Sequence, residues 1–326
     1  MNLEDLEFLL QMREKKDIVA HVNDMRLTED WKLQVADETF NLNPYAKKQM
    51  ASALRVPSSF FERLQMDYPD KLLDMVNTMF EREDQTQMVR IADGRVRAFV
   101  SDKYQRIDHE DVLDRIKPIF ETHNVHDISY SETSLELRAV SKKVEGEVKK
   151  GDPVQYGVFI KNSEVGASSV VFDPFVMRLV CTNGMIAPES LGGGTRIKHL
   201  GPRLSVGRPK PQNEERLHEI ESAVDKVSDE FFFGSIIDML QRSTKRKIGR
   251  EGFMEHVQLR WRLRDNEKID VQGILNTNAD MTQYGLANAF TEYGRDLTDS
   301  ERATAMEGIG GQIAHLTRQE WEKLAA

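Results

Sequence analysis

DPVQYGVFIKNSEVGASSVVFDPFVMRLVCTNGMIAPESLGGGTRIKHLGPR, Asp152 to Arg203, is the stretch on which the reading of the chain turns. Gln155 to Ile160 alternates as a strand does, with Tyr156, Val158 and Ile160 on one face and Gly157 and Phe159 on the other. Asn162 to Gly166 supplies the Asn, Ser and Gly that a reversal needs, and Ser168 to Phe172 reads as the returning strand. Pro174 removes a ladder donor and belongs at an edge or a bulge. Phe175 to Cys181 continues apolar around Arg178, a charge that must either reach the surface or hold a partner. Thr182-Asn183-Gly184 closes the run. The stretch is expected to form the core of a β-sheet.

Outward from it, Gln87 to Ser101 predicts a hairpin about Asp93-Gly94, a type I′ signal. Asp108 to Phe120 predicts a helix capped by Asp108, and Asp127 to Tyr130 and Ser134 to Val140 are further strands. Lys142 to Gly151 is a lysine-rich link. Before residue 84 helices dominate: Leu3 to Lys15, Tyr45 to about Leu54 after the start signal Asn43-Pro44, Phe60 to Leu64 with a serine cap, and Asp70 to Phe80. Between them, Met25 to Leu27 and Trp31 to Val35 suit a small hairpin. Beyond Pro211 the pattern is helical again. The expected fold is α+β: a helical segment over 1–84, a mostly antiparallel sheet with a packed helix over 85–205, and a helical segment over 206–326.

Composition excludes several classes. The 326 residues are 39% apolar and 30% charged, with no run long enough to span a bilayer. The acidic, amphipathic amino terminus is unlike a secretory signal, and a single cysteine gives neither a disulfide framework nor a thiolate zinc site. A cytoplasmic setting is expected. A net charge of −9 is unlike a protein that is basic throughout. The cations cluster, however: Arg196, Lys198, Arg203, Arg208 and Lys210 without an acid between them, then Arg242, Lys245, Arg246, Lys247 and Arg250, continuing to Arg260, Arg262 and Arg264.

Catalytic patterns are weak. Gly192-Gly193-Gly194-Thr195 lacks the lysine of a phosphate loop, and His109-Glu110 and His218-Glu219 lack the second histidine of a zinc protease. His123 and His126 read as a surface pair. Cys181 with His199 can be written as nucleophile and base, though a cysteine in an apolar strand is more simply a small hydrophobe. Asp173, Glu164 and Glu189 have no spacing that calls for a metal. No cofactor is expected.

Six segments carry a resemblance: AKKQMASALRVPSSFFERL (Ala46 to Leu64), RVRAFVSDKYQRIDHEDVL (Arg95 to Leu113), NSEVG, DPFVMRLVCTNGM, RIKH and YGLANAFTEYGRDL (Tyr284 to Leu297). In this order they resemble a family encoded by phages and plasmids and catalogued only as a domain of unknown function. More distantly, the order of hairpins and helix is similar to the core of ring-forming single-strand annealing recombinases, which need no nucleotide hydrolysis. The resemblance implies phage or plasmid DNA metabolism and brings no reaction with it.

Single-stranded DNA binding, with annealing as its extension, is the function expected. A sheet edged with Lys and Arg tracks phosphates, while aromatic side chains stack bases. Lys149, Lys150, Lys161, Arg178, Arg196, Lys198 and Arg203 are the candidate phosphate ligands, Tyr156 a stacking platform, and Asn183 a polar strand-end contact. Phe172 and Phe175 are expected in the core, and pairing with Asp173 or Glu164 is the structural alternative for Arg178. The alternative function is a non-catalytic homo-oligomer that docks a phage or host protein through its helical ends.

Overall fold

The computed structural model describes residues 1–180, 182–187, 194–206, 214–227, 231–249 and 251–325. Cys181, Glu189, Gly192, Gly193, Arg208, Lys210 and Arg250, all singled out above, lie outside the described residues.

The first 84 residues are not only helical. After α1 (Leu3–Gln11) come four short strands, β1 (Lys15–His21), β2 (Arg26–Leu27), β3 (Lys32–Val35) and β4 (Glu38–Leu42). Helices α2 (Pro44–Ala53), α3 (Ser58–Asp67) and α4 (Pro69–Arg82) follow, then β5 (Thr86–Ala92) and β6 (Arg95–Ser101). The expected hairpin forms as β5 and β6, with Asp93 and Gly94 both at positive φ. It joins the earlier strands in one six-stranded sheet, ordered β1-β5-β6-β4-β3-β2. The division expected at 84 therefore cuts through a sheet. The small hairpin expected from Met25 to Leu27 and Trp31 to Val35 forms as β2 and β3. Strands β1 and β4 were obscured because they are short and have remote partners: Lys15 of β1 pairs with Ala92, and Asn41 of β4 with Arg95. Helices α2, α3 and α4 cover one face of this sheet through Met50, Phe61, Val76 and Phe80. Asn43 caps α2 as its sequence predicts, accepting from Ala46 N at 2.7 Å. The predicted serine cap of α3 is absent; the helix starts at Ser58 itself, behind Pro57.

The other face of this sheet meets the second half of the molecule, which contains α5 (His109–Ile116), α6 (Ile119–Thr122), β7 (His123–Tyr130), β8 (Leu135–Glu147), β9 (Pro153–Asn162), β10 (Val170–Arg178), β11 (Asn183–Ile186) and β12 (Thr195–Ile197). Strands β7 to β11 form an antiparallel sheet in spatial order β11-β10-β9-β8-β7, and β12 also pairs with β10. Both β11 and β12 use the same edge of β10: β11 pairs with Phe175–Arg178 and β12 with Val170–Phe172. Pro174 sits at the junction, its carbonyl accepting from Ala187 N at 2.8 Å. In a strand the N and O of one residue point the same way, so the missing donor falls where one neighbour gives way to the other.

Seven further helices complete the chain: α7 (Glu214–Val227), α8 (Phe231–Ser243), α9 (Phe253–Trp261), α10 (Asp265–Asn278), α11 (Gln283–Arg295), α12 (Ser300–His315) and α13 (Arg318–Ala325). They cover the middle sheet on both sides. Leu137, Val158, Ile160 and Phe172 pack with α1, α5 and α7 on one face. On the other, Arg138 of β8 reaches Glu307 of α12, and α11 and α12 lie against β11. Helix α10 was not legible because it buries only Glu267, Val271 and Leu275, too few for an apolar stripe.

Candidate anion-binding surface

Helices cover both faces of the middle sheet. Tyr156 is wholly buried and donates its hydroxyl hydrogen bond to Val227 O, so it offers no stacking face. Phe159 and Phe175 are buried as well. Asn183 is buried and donates to Thr291 Oγ1. The expectation of an aromatic platform is corrected accordingly: strands buried on two faces turn their aromatics into core.

The structure pairs most of the first group of cations with carboxylates. Lys149 Nζ lies 2.6 Å from Asp280, Lys161 Nζ 2.7 Å from Glu136, and Arg178 Nε 2.6 Å from Asp152. Arg196 makes a bidentate pair with Asp173, 2.7 Å at each oxygen, and Arg203 lies 3.6 Å from Asp102. Arg178 thus has a carboxylate partner, though Asp152 rather than Asp173 or Glu164. Lys150 and Lys198 are exposed and make no ion pair among the described residues. A guanidinium held by two carboxylate oxygens has its best donors occupied and is a poor phosphate ligand.

The second basic group behaves differently. Arg242 ends α8, and the turn after it carries Lys245, Arg246 and Lys247. This turn is held firmly. Gln283 N donates to Arg246 O at 2.8 Å, Ile248 N to Met281 O at 3.0 Å, and Gly249 N to Ala325 O at 2.8 Å. Trp321 Nε1 donates to Lys247 O at 3.2 Å. The buried Gln283 side chain organises the site: its amide donates to Ile313 O at 2.6 Å and Leu316 O at 3.1 Å, and its Oε1 accepts from Arg246 Nη1 at 2.9 Å.

Among the described residues, none of Arg242, Lys245, Arg246 and Lys247 makes an ion pair; the Arg246 guanidinium donates to neutral oxygens of Gln283 and Leu316. Burial lowers the Arg246 pKa, and the charges of Arg242 and Arg318 lower it further. Glu322 offsets part of this and is itself held by Arg318 Nε at 2.7 Å. The C-terminal carbonyls of α8 favour some of this positive charge. What remains is a rigid loop whose cations repel one another, a place where an anion lowers the energy.

Two other polar clusters are already satisfied. Glu164 of the NSEVG turn is bound by Lys15 and Arg97, and Asp173 by Arg196, so both carboxylates carry cations. A cleft of about 460 Å³ lies between the middle sheet and the start of α12, with Asp127, Arg138 and Glu307 in its wall. Burial raises the Glu307 pKa against the pull of Arg138, which donates to it at 2.7 and 3.0 Å. Among the described residues no group of three His, Cys, Asp or Glu is placed to hold a metal, and no helix is long and apolar enough to cross a membrane.

Sequence reasoning noticed the second basic group but placed no site there. It missed Gln283 and Arg318, which fold back from distant positions. No curated protein and no solved structure matches the chain. The segment Ala46 to Leu64 lies outside the family match, but residues 96–308, well over half of the chain, match the family described as Domain of unknown function (DUF932), and the chain is a member of that family.

Proposed function

We propose that the chain binds a nucleic-acid backbone through the turn Arg242–Lys247, with Arg318 beside it, rather than through the middle sheet. The observation that carries this reading is that none of the turn's cations makes an ion pair among the described residues, although Glu322 lies near enough to act on Arg246, where the sheet's own cations are mostly paired. Single-stranded DNA is the form favoured by the likeness to annealing recombinases, and a phage or plasmid setting is consistent with it. Strand annealing would then follow from binding. No catalysis is invoked.

An electrophoretic shift with single- and double-stranded oligonucleotides tests it. Lys245→Glu/Lys247→Glu is expected to abolish the shift, while Lys198→Glu/Arg203→Glu leaves most of it. Undiminished binding by the first variant sinks the assignment, and loss only in the second returns it to the sheet edge. The other reading, an interaction protein, is favoured by one observation: α1 exposes Phe8 and Met12 on a helix whose opposite face is already core.

A further inference from the structure

Helix α1 carries apolar residues on two sides, between the acidic Glu4, Asp5 and Glu7. Leu6 and Leu10 are buried in the core beneath α5, whereas Phe8 is 66% exposed and Met12 68%. A helix apolar on both sides is normally covered on both. Phe8, Leu9 and Met12 form the apolar wall of a groove of about 620 Å³. Its far side is Tyr130, and Asp5, Asp93 and Glu132 stand in its lining with one cation, Arg13. Arg13 is already engaged by Asp93 at 3.2 Å and Glu132 at 3.5 Å, so the groove is negative as well as apolar. Its occupant must offer an apolar side chain flanked by cations.

The chain itself carries such an element. Leu259, near the end of α9, is 77% exposed. Arg260, Arg262 and Arg264 surround it and are exposed, and Arg262 makes no ion pair among the described residues. Arg262 also ends the helix in the left-handed region, φ 52°, so the segment turns away from its own helix axis. Helix α1 packs on the α5 and α7 side of the middle sheet, and α9 belongs to the helical layer on the other side. The two surfaces thus belong to layers on opposite faces of the middle sheet, and a contact between them joins two molecules.

We infer that the α1 groove receives the α9 end, Leu259 to Arg264, of a second copy of this chain. The contact is heterologous: each molecule offers a groove at one side and a plug at the other. Such contacts repeat, closing as a ring or continuing as a filament. Apolar insertion of Leu259 supplies the attraction, and Arg260 and Arg262 against Asp5, Asp93 and Glu132 set the orientation.

Sedimentation velocity of the full chain over a wide range of concentration tests this, using a groove variant (Phe8→Arg/Met12→Arg) and a plug variant (Leu259→Glu/Arg262→Glu). All four positions lie on the surface, and far-ultraviolet circular dichroism confirms that each variant is folded. The wild type is expected to grow beyond a dimer with concentration, and each variant to associate at least about tenfold more weakly. The decisive sample is the mixture. One intact groove and one intact plug remain, so the two variants together must give a heterodimer and nothing larger. Wild-type assembly must also weaken as salt rises, which keeps the proposal testable should either variant fail to fold. A wild type that stays monomeric overturns the inference. So does a mixture that stays monomeric while the wild type assembles, or a plug variant that assembles as the wild type does, which would mean a symmetric α1 contact instead.

Discussion

The Arg97 guanidinium donates to the Glu164 carboxylate at 2.6 Å where the two side chains are 6% and 0% exposed, and this bond crosses from the N-terminal sheet to the β9–β10 turn. Glu164 is the hub of a wider network. It accepts from Lys15 Nζ and from His109 N, each at 2.8 Å, while Arg90 donates to its main-chain oxygen at 2.7 Å and to Asp108 at 2.7 Å. Burial on its own raises the Glu164 pKa; His109, Lys15, Arg97 and Arg90 together outweigh burial and hold the carboxylate well below its ordinary range. Removing one member of a buried ionic cluster strands the others. Glu164→Gln is expected to cost about 3–5 kcal/mol of unfolding free energy. Glu110→Gln, at the half-exposed partner of Lys15, should cost under about 1 kcal/mol. Urea denaturation of the two variants checks the contrast, and equal losses would mean that Glu164 is no hub.

The same region makes stability depend on pH. His109 accepts from the Asn162 amide at its Nδ1, and His199 donates from Nδ1 to Gln105 O while stacking on Tyr104. Burial pushes both pKa values down from 6.5 to about 4. A folded-state pKa below the unfolded one means that the unfolded chain binds the proton more tightly. The stability contributed by a neutral, buried imidazole is therefore complete above pH 6.5 and is lost as pH falls towards 4. Each histidine is worth roughly 3 kcal/mol across that window. The urea midpoint should drop between pH 7 and pH 5, before ordinary carboxylates protonate, and His199→Phe should flatten that drop. A midpoint unchanged down to pH 5 would contradict buried neutral histidines.

Phe175 makes a third prediction. Its ring lies over two strand glycines: Gly157, its partner on β9, and Gly184 on β11. A Cβ on Gly184 would overlap the Phe175 ring, whereas one on Gly157 would come within 2.5 Å of the Ala139 carbonyl oxygen and, less severely, 2.9 Å of the Phe175 ring. Overpacking of this kind costs about 1–3 kcal/mol. The obstacle differs, and so should the rescue. Phe175→Leu is expected to recover part of the loss in Gly184→Ala and none of the loss at the backbone oxygen in Gly157→Ala. Thermal melting of the two double variants decides it.

How far the fold was legible follows from such particulars. The hairpin about Asp93-Gly94 and the alternation from Gln155 to Ile160 are local signals, and both formed where the residues predicted. Burial of Phe172 and Phe175 was legible from their place in apolar strands. Strand β1 was not, because Lys15 finds Ala92 across most of the N-terminal unit. The cationic edge failed for a related reason. Lys149 meets Asp280 from the loop between α10 and α11, and Arg178 meets an aspartate 26 residues earlier in the chain. A run of Lys and Arg without neighbouring acids looks free in one dimension, whereas pairing is decided by strand register and helix placement. Arg242 to Lys247 was visible as a charge run, but its distinction from the first run exists only in three dimensions.

That distinction yields a quantitative prediction. Binding to a phosphate backbone releases condensed counterions, so the logarithm of affinity falls linearly with the logarithm of salt, and the slope counts phosphate contacts. Each exposed lysine that neutralises a phosphate adds about 0.7 to the slope for a single strand and about 0.9 for a duplex. Lys245→Gln/Lys247→Gln should therefore flatten the slope by about 1.4 with single-stranded oligonucleotide or about 1.8 with duplex. Lys161→Gln, whose amine is held by the buried Glu136 carboxylate, should leave the slope unchanged and lower stability instead, since Glu136 then loses its ammonium partner. Fluorescence anisotropy titrations at several salt concentrations measure both slopes. An unchanged slope in the double variant would remove the turn from the interface whatever the change in affinity at one salt, and a flatter slope in Lys161→Gln would place the sheet edge back in it.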